Sequence, residues 1–428
     1  MAQLSDDCFV HGGALTRLDV ALNELSARLV PVTGIETLPL ASCSGRILAA
    51  SVIARVAVPP VDNSAVDGYA VYHADLSKEA ETQLPVIGRA TAGHPFSSVQ
   101  PRGTAVRILT GAVMPRGMRI GGEGDGPDTV MMQEDCIVDS DAVTIRPGIR
   151  RGANRRLAGE DIRQSETILT EGRILKAADL ALAAAAGHSE LQVRRPLRVA
   201  LLSTGDEVHE TGGALPPGGI YDANRPLLQV LLTAAGCAVS DLGIQPDRRE
   251  DIARIFANAA GSHDAVVTSG GVSTGDEDHV KAAIETAGGK LHFWRLAIKP
   301  GRPVALGQIG RVPFFGLPGN PVAAMLTFGF FARPLLQRLA GAVPETPRGF
   351  LVTAGFAYKK KADRREWVRV SLTDDGKGGW QAEKYAVDGA GVITSLTRTD
   401  GLVELPEDLQ KLEPGESVRF YPYSALGV

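Results

Sequence analysis

The chain has 428 residues, and because single hydrophobic cores rarely grow beyond about 250–300 residues, several domains are expected. With 44% hydrophobic and 22% charged residues the composition is that of a folded, soluble protein, and a net charge of −4 argues against a nucleic-acid binder. Cys8, Cys43, Cys136 and Cys237 show no paired spacing for a zinc site or disulfide framework, no signal-peptide pattern is present, and the best candidate span, Val322 to Leu339, is broken by Arg333, Pro334 and Arg338; a cytoplasmic protein without membrane or nucleic-acid partners is expected.

Leu15, Leu18, Leu22, Leu25 and Leu29 recur at helical spacing between Ala14 and Val30, with Arg17, Asp19, Asn23 and Arg28 opposite, which predicts an amphipathic packing helix. Short β-like runs follow from Glu36 to Val58, and Pro59-Pro60 stiffens the chain at a domain boundary. Asp62, Asn63, Ser64, Asp67 and Tyr69 then crowd a turn, and turn chemistry alone accounts for Asp62 and Asn63. From Leu84 to Val143, short strands broken by Gly and Pro predict an all-β module, with Thr110 in a turn and Met118 to Asp128 as a mobile hairpin tip without function. The run Arg146, Arg150, Arg151, Arg155 and Arg156 reads first as a solvated face. Lys176 to Gly187 is an alanine-rich helix expected to return onto the N-terminal helix, making the first domain discontinuous.

Beyond Arg194 strands and helices alternate: strand Leu197 to Ser203, helix Arg225 to Ala235, strand Val239 to Ile244, helix Arg249 to Ala260, strand Asp264 to Thr268, and a helix from Asp276 through Ile284. That alternation predicts right-handed βαβ crossovers. Strands Lys290 to Ile298 and Val312 to Leu317 follow, then a long apolar helix, Val322 to Leu339. In an open parallel sheet all strand C-termini share one edge, where ligands bind, so four loops are expected to converge there. They are Thr204-Gly205-Asp206-Glu207, Ser269-Gly270-Gly271 with the acids Asp276, Glu277 and Asp278, Lys299-Pro300-Gly301-Arg302-Pro303, and Pro318-Gly319-Asn320-Pro321. Gly270 and Gly271 lack Cβ, so their backbone N–H groups can approach an anion such as phosphate. The acids either cap the helix they open or hold a divalent cation, most simply Mg2+. Lys299 and Arg302, set among prolines, suit oxyanions. Asn320 is a natural N-cap and Pro321 a natural N1 residue, so capping explains that pair by itself. Asp247 is as readily a helix cap as a ligand. Short strands near the C-terminus, including Glu366 to Leu372 and Ser417 to Tyr421, predict a small β-barrel with Arg364, Arg365 and Arg369 as its most notable cations.

Seven blocks, in order, carry a resemblance to a known family: Asp62-Asn63-Ser64-Ala65-Val66-Asp67-Gly68-Tyr69-Ala70-Val71, Leu109-Thr110-Gly111-Ala112, Gly159-Glu160-Asp161-Ile162, Ser203-Thr204-Gly205-Asp206-Glu207, Ser269-Gly270-Gly271-Val272-Ser273, Lys299-Pro300-Gly301 and Leu317-Pro318-Gly319-Asn320-Pro321. Together they resemble the molybdopterin molybdenumtransferases, the MoeA family, also found as the E domain of gephyrin. The resemblance implies an α/β and β multidomain protein. Its expected parts are a discontinuous elongated domain (1–50 with 153–192), an inserted β-rich domain (51–152), a central MogA-like doubly wound α/β domain (193–346) and a small C-terminal β-barrel (347–428).

The implied activity is Mg2+-dependent insertion of molybdate into adenylylated molybdopterin, giving molybdenum cofactor and AMP. Asp67, Thr110, Glu207, Asp247, Asp278 and Lys299 are the implied catalytic positions, with Mg2+ on Glu207, Asp276 and Asp278. Substrate contacts are expected from Ser269, Gly270, Gly271, Ser273, Arg295, Pro300, Gly301, Pro318, Asn320 and Arg364. A homodimer with composite sites is implied, with molybdopterin adenylyltransferase and molybdoenzyme maturation proteins as partners. Two positions depart from the family pattern: Arg295 stands where many members have Lys, which changes hydrogen-bond geometry, and Gly389-Ala390-Gly391 replaces a Gly-Ser-Gly-like turn. The alternative is a non-catalytic pterin- or nucleotide-binding protein, or a scaffold of the gephyrin E-domain type.

Overall fold

Helix α1 (Leu18–Arg28) turns Leu18, Ala21 and Leu25 to one side, and this stripe buries in the same apolar core as Leu335 and Leu339. The computed structural model describes residues 15–119, 122–124, 126–245, 248–270 and 279–427. The alanine-rich helix α2 (Ala177–Ala185) packs elsewhere, with Ala183 beside Cys43, Leu48, Val52 and Leu191. The expected contact between these two helices is therefore absent from both cores. Leucines need a deep apolar surface, whereas alanines let a helix lie close to short strands. Those strands bring distant parts of the chain together, because Ile35–Pro39 pairs antiparallel with Glu190–Arg194 and Val52–Ile53 with Thr167–Leu169.

Between these halves lies a six-stranded sheet in the order Thr129–Met132, Gly68–Val71, Ala105–Ile108, Thr82–Ala90, Ala142–Ile145, Cys136–Asp139. Two small apolar clusters cover its faces, one around Tyr69 and Ile145 and the other around Ile108 and Val130. Arg116–Arg119 pairs with Gly122–Gly124 as a hairpin at the glycine-rich loop. The arginine run is engaged within the module: Arg151 donates to Asp128 at 2.5 Å, and Arg155 and Arg146 approach Asp62 and Glu81 at 3.6 and 3.7 Å.

The central sheet is built on Arg198–Thr204, whose side chains alternate as a pleated strand requires: Val199 and Leu201 enter one core, Ala200 and Leu202 the other. It pairs in parallel with Ala238–Gln245 and Ala265–Ser269, and the latter pairs in parallel with Val312–Leu317. Helices α3 (Asn224–Ala234), α6 (Pro321–Thr327) and α7 (Arg333–Ala340) cover the first face, and α4 (Arg249–Ser262) and α5 (His279–Thr286) the second. The sheet is thus doubly wound, but it is not wholly parallel. Pro303–Ile309 runs antiparallel to both Val312–Leu317 and Gly289–Arg295. Composition hides this strand, since Pro303 and Gly307 lower its β signal.

The strand expected from Lys290 to Ile298 ends at Arg295, and Ile298–Lys299 crosses to pair in parallel with Arg365 and Glu366. The long apolar helix is also interrupted, by a π turn over Phe328–Ala332 between α6 and α7. Pro334 has no N–H to donate to the Phe330 carbonyl, so the bonding register widens ahead of it. At the C-terminus Phe350–Ala354, Arg365–Asp374, Trp380–Lys384, Gly401–Leu405 and Ser417–Pro422 close into a five-stranded barrel, because Arg365–Asp374 pairs with both Trp380–Lys384 and Gly401–Leu405. Phe330 stacks on Trp367 at 4.4 Å and meets Tyr421 edge-on at 5.6 Å, fastening the barrel to the π turn. Among the described residues no helix is long and apolar enough to cross a membrane.

Gly270 sits at φ +85°, and a Cβ there would stand 2.6 Å from the Thr204 carbonyl oxygen. Gly270→Ala should therefore cost about 1–3 kcal/mol, read as a lower urea or thermal midpoint. A midpoint equal to wild type would show that the loop relaxes around the methyl group.

Candidate functional site

The strand ends do converge, and one side chain holds them together. Asn224, the first residue of α3, is buried and donates through Nδ2 to Ser269 Oγ at 2.7 Å and to the Gly319 carbonyl at 2.6 Å. Asp222 sets its position, accepting the N–H groups of Asn224 and Arg225 at 3.1 and 3.0 Å and the Arg225 guanidinium at 3.1 Å. Neither residue is singled out by the sequence, where Asp222-Ala223-Asn224 before an amphipathic helix reads as ordinary capping. Above them lies a cavity of about 90 Å³ between Thr204, Tyr221, Asn224, Gly270 and Pro321, with Glu207 at its wall. Ser203 Oγ, Thr204 Oγ1 and Asn224 Oδ1 are buried without hydrogen-bond partners among the described residues. Buried polar atoms are nearly always satisfied, so this set is shaped for a polar ligand.

Two expectations for these loops need correction. The Gly270 N–H donates to the Leu317 carbonyl at 3.2 Å, so it closes the loop instead of cradling an anion. Asn320 occupies the N-cap position of α6 but makes no side-chain cap bond there and is exposed. Capping therefore does not account for its amide. Ser269 is a floor residue, bonded by Asn224 and lying 3.5 Å from the Pro318 carbonyl. Gly271, Ser273, Asp276 and Asp278 lie outside the described residues, as does Asp247. Glu207 is exposed with its carboxylate over Gly205, where a Cβ would meet Oε2 at 2.7 Å. Among the described residues no group of three His, Cys, Asp or Glu is arranged to hold an ion. The donors that do gather are all oxygens, Glu207 with the unpaired Ser203 and Thr204 hydroxyls, a set suited to a hard cation.

A second cavity, of about 160 Å³, opens where the barrel meets the α/β domain, and Lys299, Pro300, Tyr358, Glu366, Arg369 and Ala390 are among its walls. Glu366 organises it. Its 1%-exposed carboxylate takes Arg364 Nε at 2.6 Å, the Tyr358 hydroxyl at 3.0 Å and Lys299 Nζ at 3.2 Å. Burial pulls the Lys299 ammonium down, but Tyr358 and Glu366 outweigh it, and its pKa lies above the ordinary lysine value. Burial, with Glu366 beside it, pushes the Tyr358 hydroxyl up. Arg369 donates to the Val387 and Gly389 carbonyls at 3.4 and 3.2 Å, while its Nε has no partner among the described residues. Gly301 sits at φ +97°, and a Cβ there would stand 2.3 Å from Thr327 Oγ1. Arg295 ends its strand exposed and does not line this cavity. The two cavities share a wall, since Gly319 and Pro321 line the first and the Val322 N–H donates to the carbonyl of Ala390, which lines the second, at 3.0 Å.

Asp67 and Thr110 meet in the β-rich module. Asp67 Oδ1 accepts the Thr110 N–H at 2.7 Å and its hydroxyl at 2.8 Å, which holds the Asp67 carboxyl below the usual range.

A doubly wound α/β domain with a polar strand-end cavity is thus joined to a barrel through a pocket lined by Lys299 and Arg369. Comparisons give the family. The MoeA N-terminal region (domain I and II) matches residues 16–187, a probable molybdopterin binding domain matches 200–338, and the MoeA C-terminal region (domain IV) matches 352–423. The molybdopterin molybdenumtransferase of Haemophilus influenzae is 35% identical over 411 residues, covering 96% of this chain and 99% of that one. Molybdopterin molybdenumtransferase 2 of Mycobacterium tuberculosis is 33% identical over 396 residues, covering 90% and 94%. The crystal structure of a molybdopterin biosynthesis MoeA protein from Pyrococcus horikoshii superposes with a TM-score of 0.80 at 26% identity, covering 96% of this chain and 100% of that one. The chain belongs to the MoeA family.

Because the fold depresses the Asp67 pKa, this group favours the native state above the unfolded value of about 3.9 and loses that contribution as pH falls through the folded value. Thr110→Ala removes the hydroxyl bond and keeps the backbone one, so the Asp67 titration midpoint, followed by carboxyl NMR, should rise part of the way toward the ordinary value. An unchanged midpoint would mean that the hydroxyl does not hold the carboxylate.

Proposed function

We propose that this protein is a molybdopterin molybdenumtransferase that inserts molybdate into adenylylated molybdopterin and releases AMP. The observation that carries the reading is the pairing of two adjoining cavities, one holding unspent polar oxygens beside Glu207 and the other Lys299 and Arg369 around Glu366. A pterin with its phosphates needs the first kind of surface, and a tetrahedral dianion needs the second. Lys299 holds the oxyanion, with Arg369 beside it and Arg364 behind. Asn224, Thr204 and Asn320 orient the pterin nucleotide along the strand ends. Glu207, with Asp276 and Asp278, would hold Mg2+. Bound there, Mg2+ supplies charge neutralisation on the pyrophosphate whose P–O bond breaks. Asp67 and Thr110 position groups of the substrate and do not act as nucleophiles.

The active unit is a homodimer in which Asp67 and Thr110 of one chain face Glu207, Asp278 and Lys299 of the other. The insertion of the β-rich module between the two halves of the first domain, which pair across it as Ile35–Pro39 with Glu190–Arg194 and Val52–Ile53 with Thr167–Leu169, supports that arrangement. A two-fold dimer then builds two equivalent composite sites.

The direct test is AMP release from adenylylated molybdopterin with Mg2+ and molybdate. Lys299→Ala should lower molybdate-dependent release strongly while moving the melting curve little, since Arg364 and Tyr358 still donate to Glu366 and the lost lysine is half-exposed. Full activity across a molybdate titration would rule out this anion site. The dimer is tested by mixing: Asp67→Ala and Lys299→Ala chains, unfolded and refolded together, should recover about a quarter of wild-type activity by random pairing. Verified heterodimers as inactive as their parents would place the whole site within one chain.

A further inference from the structure

The transfer reaction assigns no part to Glu366, although it is the most deeply buried ionisable group at the oxyanion pocket. A carboxylate with 1% exposure usually serves to neutralise one cation. Here the cations outnumber it. Lys299 and Arg369 line the cavity and Arg364 stands behind it, while Asp388, the other acid on the wall, is engaged by Lys384 at 3.0 Å. Three cations against one buried carboxylate leave two positive charges, the complement of a tetrahedral dianion. Arg369 is 7% exposed with an unspent Nε, and the Lys299 side chain, 52% exposed, can turn toward an anion by giving up its bonds to Glu366 and, at 3.3 Å, to the Tyr358 hydroxyl.

We propose that Glu366 is the charge-setting residue of the oxyanion pocket, which orders Lys299 and Arg364 while the pocket is empty and, by opposing the anion at short range, keeps bound molybdate exchangeable. The proposal rests on the pocket being the molybdate site. Without the negative charge, Lys299 and Arg369 would face the dianion with Arg364 unopposed behind them, and Lys299 would be released to it. Binding would tighten, and transfer to the pterin would slow because the anion must leave the pocket to react. Glu366 acts through Lys299 and Arg364, so it is a positioning residue and not a catalytic one.

The test is calorimetric titration with molybdate, together with molybdate KM and kcat, in Glu366→Gln, Glu366→Asp and Lys299→Ala. Glu366→Gln should bind molybdate about tenfold more tightly, the scale of one charge acting across a partly buried pocket, with a lower KM and a lower kcat. Glu366→Asp keeps the charge and should bind within about twofold of wild type. A folded Glu366→Gln that binds no more tightly than wild type overturns the proposal, and a role confined to stability would give that result. Lys299→Ala separates the two readings. If it leaves binding unchanged, the molybdate site itself is misplaced; if it abolishes binding while Glu366→Gln fails to tighten it, only the charge-setting role falls. Should the Gln variant lose its thermal transition, Glu366→Met replaces it, and unfolding of both would overturn the proposal by making Glu366 a residue of the fold.

Discussion

The parallel pairing of Ile298 and Lys299 with Arg365 and Glu366 is the contact on which the rest of the site depends. It carries the chain out of the α/β sheet and onto the barrel, so a lysine from one domain meets a buried carboxylate from the other. A lone carboxylate so deep would be strongly destabilising, and it is tolerated because an arginine, a tyrosine and a lysine all donate to it. The Phe330–Trp367 stack and the edge contact with Tyr421 keep the two domains in register behind this seam. A pocket made this way exists only while both domains are docked.

The strand-end cavity depends on different physics. Parallel strands bring their C-termini to one edge, but loops at that edge need a tie to stay in place. The Asn224 amide is that tie, and Asp222 fixes it by holding the first turn of α3. With the Gly270 N–H spent on Leu317, the unspent groups in the cavity are hydroxyl and amide oxygens, with the Glu207 carboxylate at the wall. An oxygen-lined chamber and a cationic one thus stand on either side of the Pro318–Pro321 loop, which suits a substrate with a heterocyclic part and a separate oxyanion.

Much of this was legible in the residues themselves. Alternating apolar strands and amphipathic helices from Leu197 onward predict the doubly wound domain, because strands buried on both faces read as short continuous apolar runs and the helices that cover them keep a 3.6 period. Lys299 was legible as a candidate anion ligand from charge and loop setting, and Arg364 from the family resemblance. Glu366 and Asn224 were not, since a glutamate inside a strand and an asparagine opening a helix carry no distinguishing pattern. The antiparallel strand Pro303–Ile309 escaped for a similar reason: its proline and glycine look like a loop, and only pairing on both sides makes it a strand.

The order of elements, the motif blocks and the chemistry available at each loop were determined by the sequence alone, because these follow from local propensity and residue type. Tertiary structure decided which groups remain available. It spent the Gly270 N–H on a loop closure, left the Asn320 amide out of its expected cap, and turned Lys299 and Arg364 onto one carboxylate more than sixty residues from the lysine. Hydrogen bonds and ion pairs between distant segments are set by how domains dock, and no local pattern in a chain records that geometry.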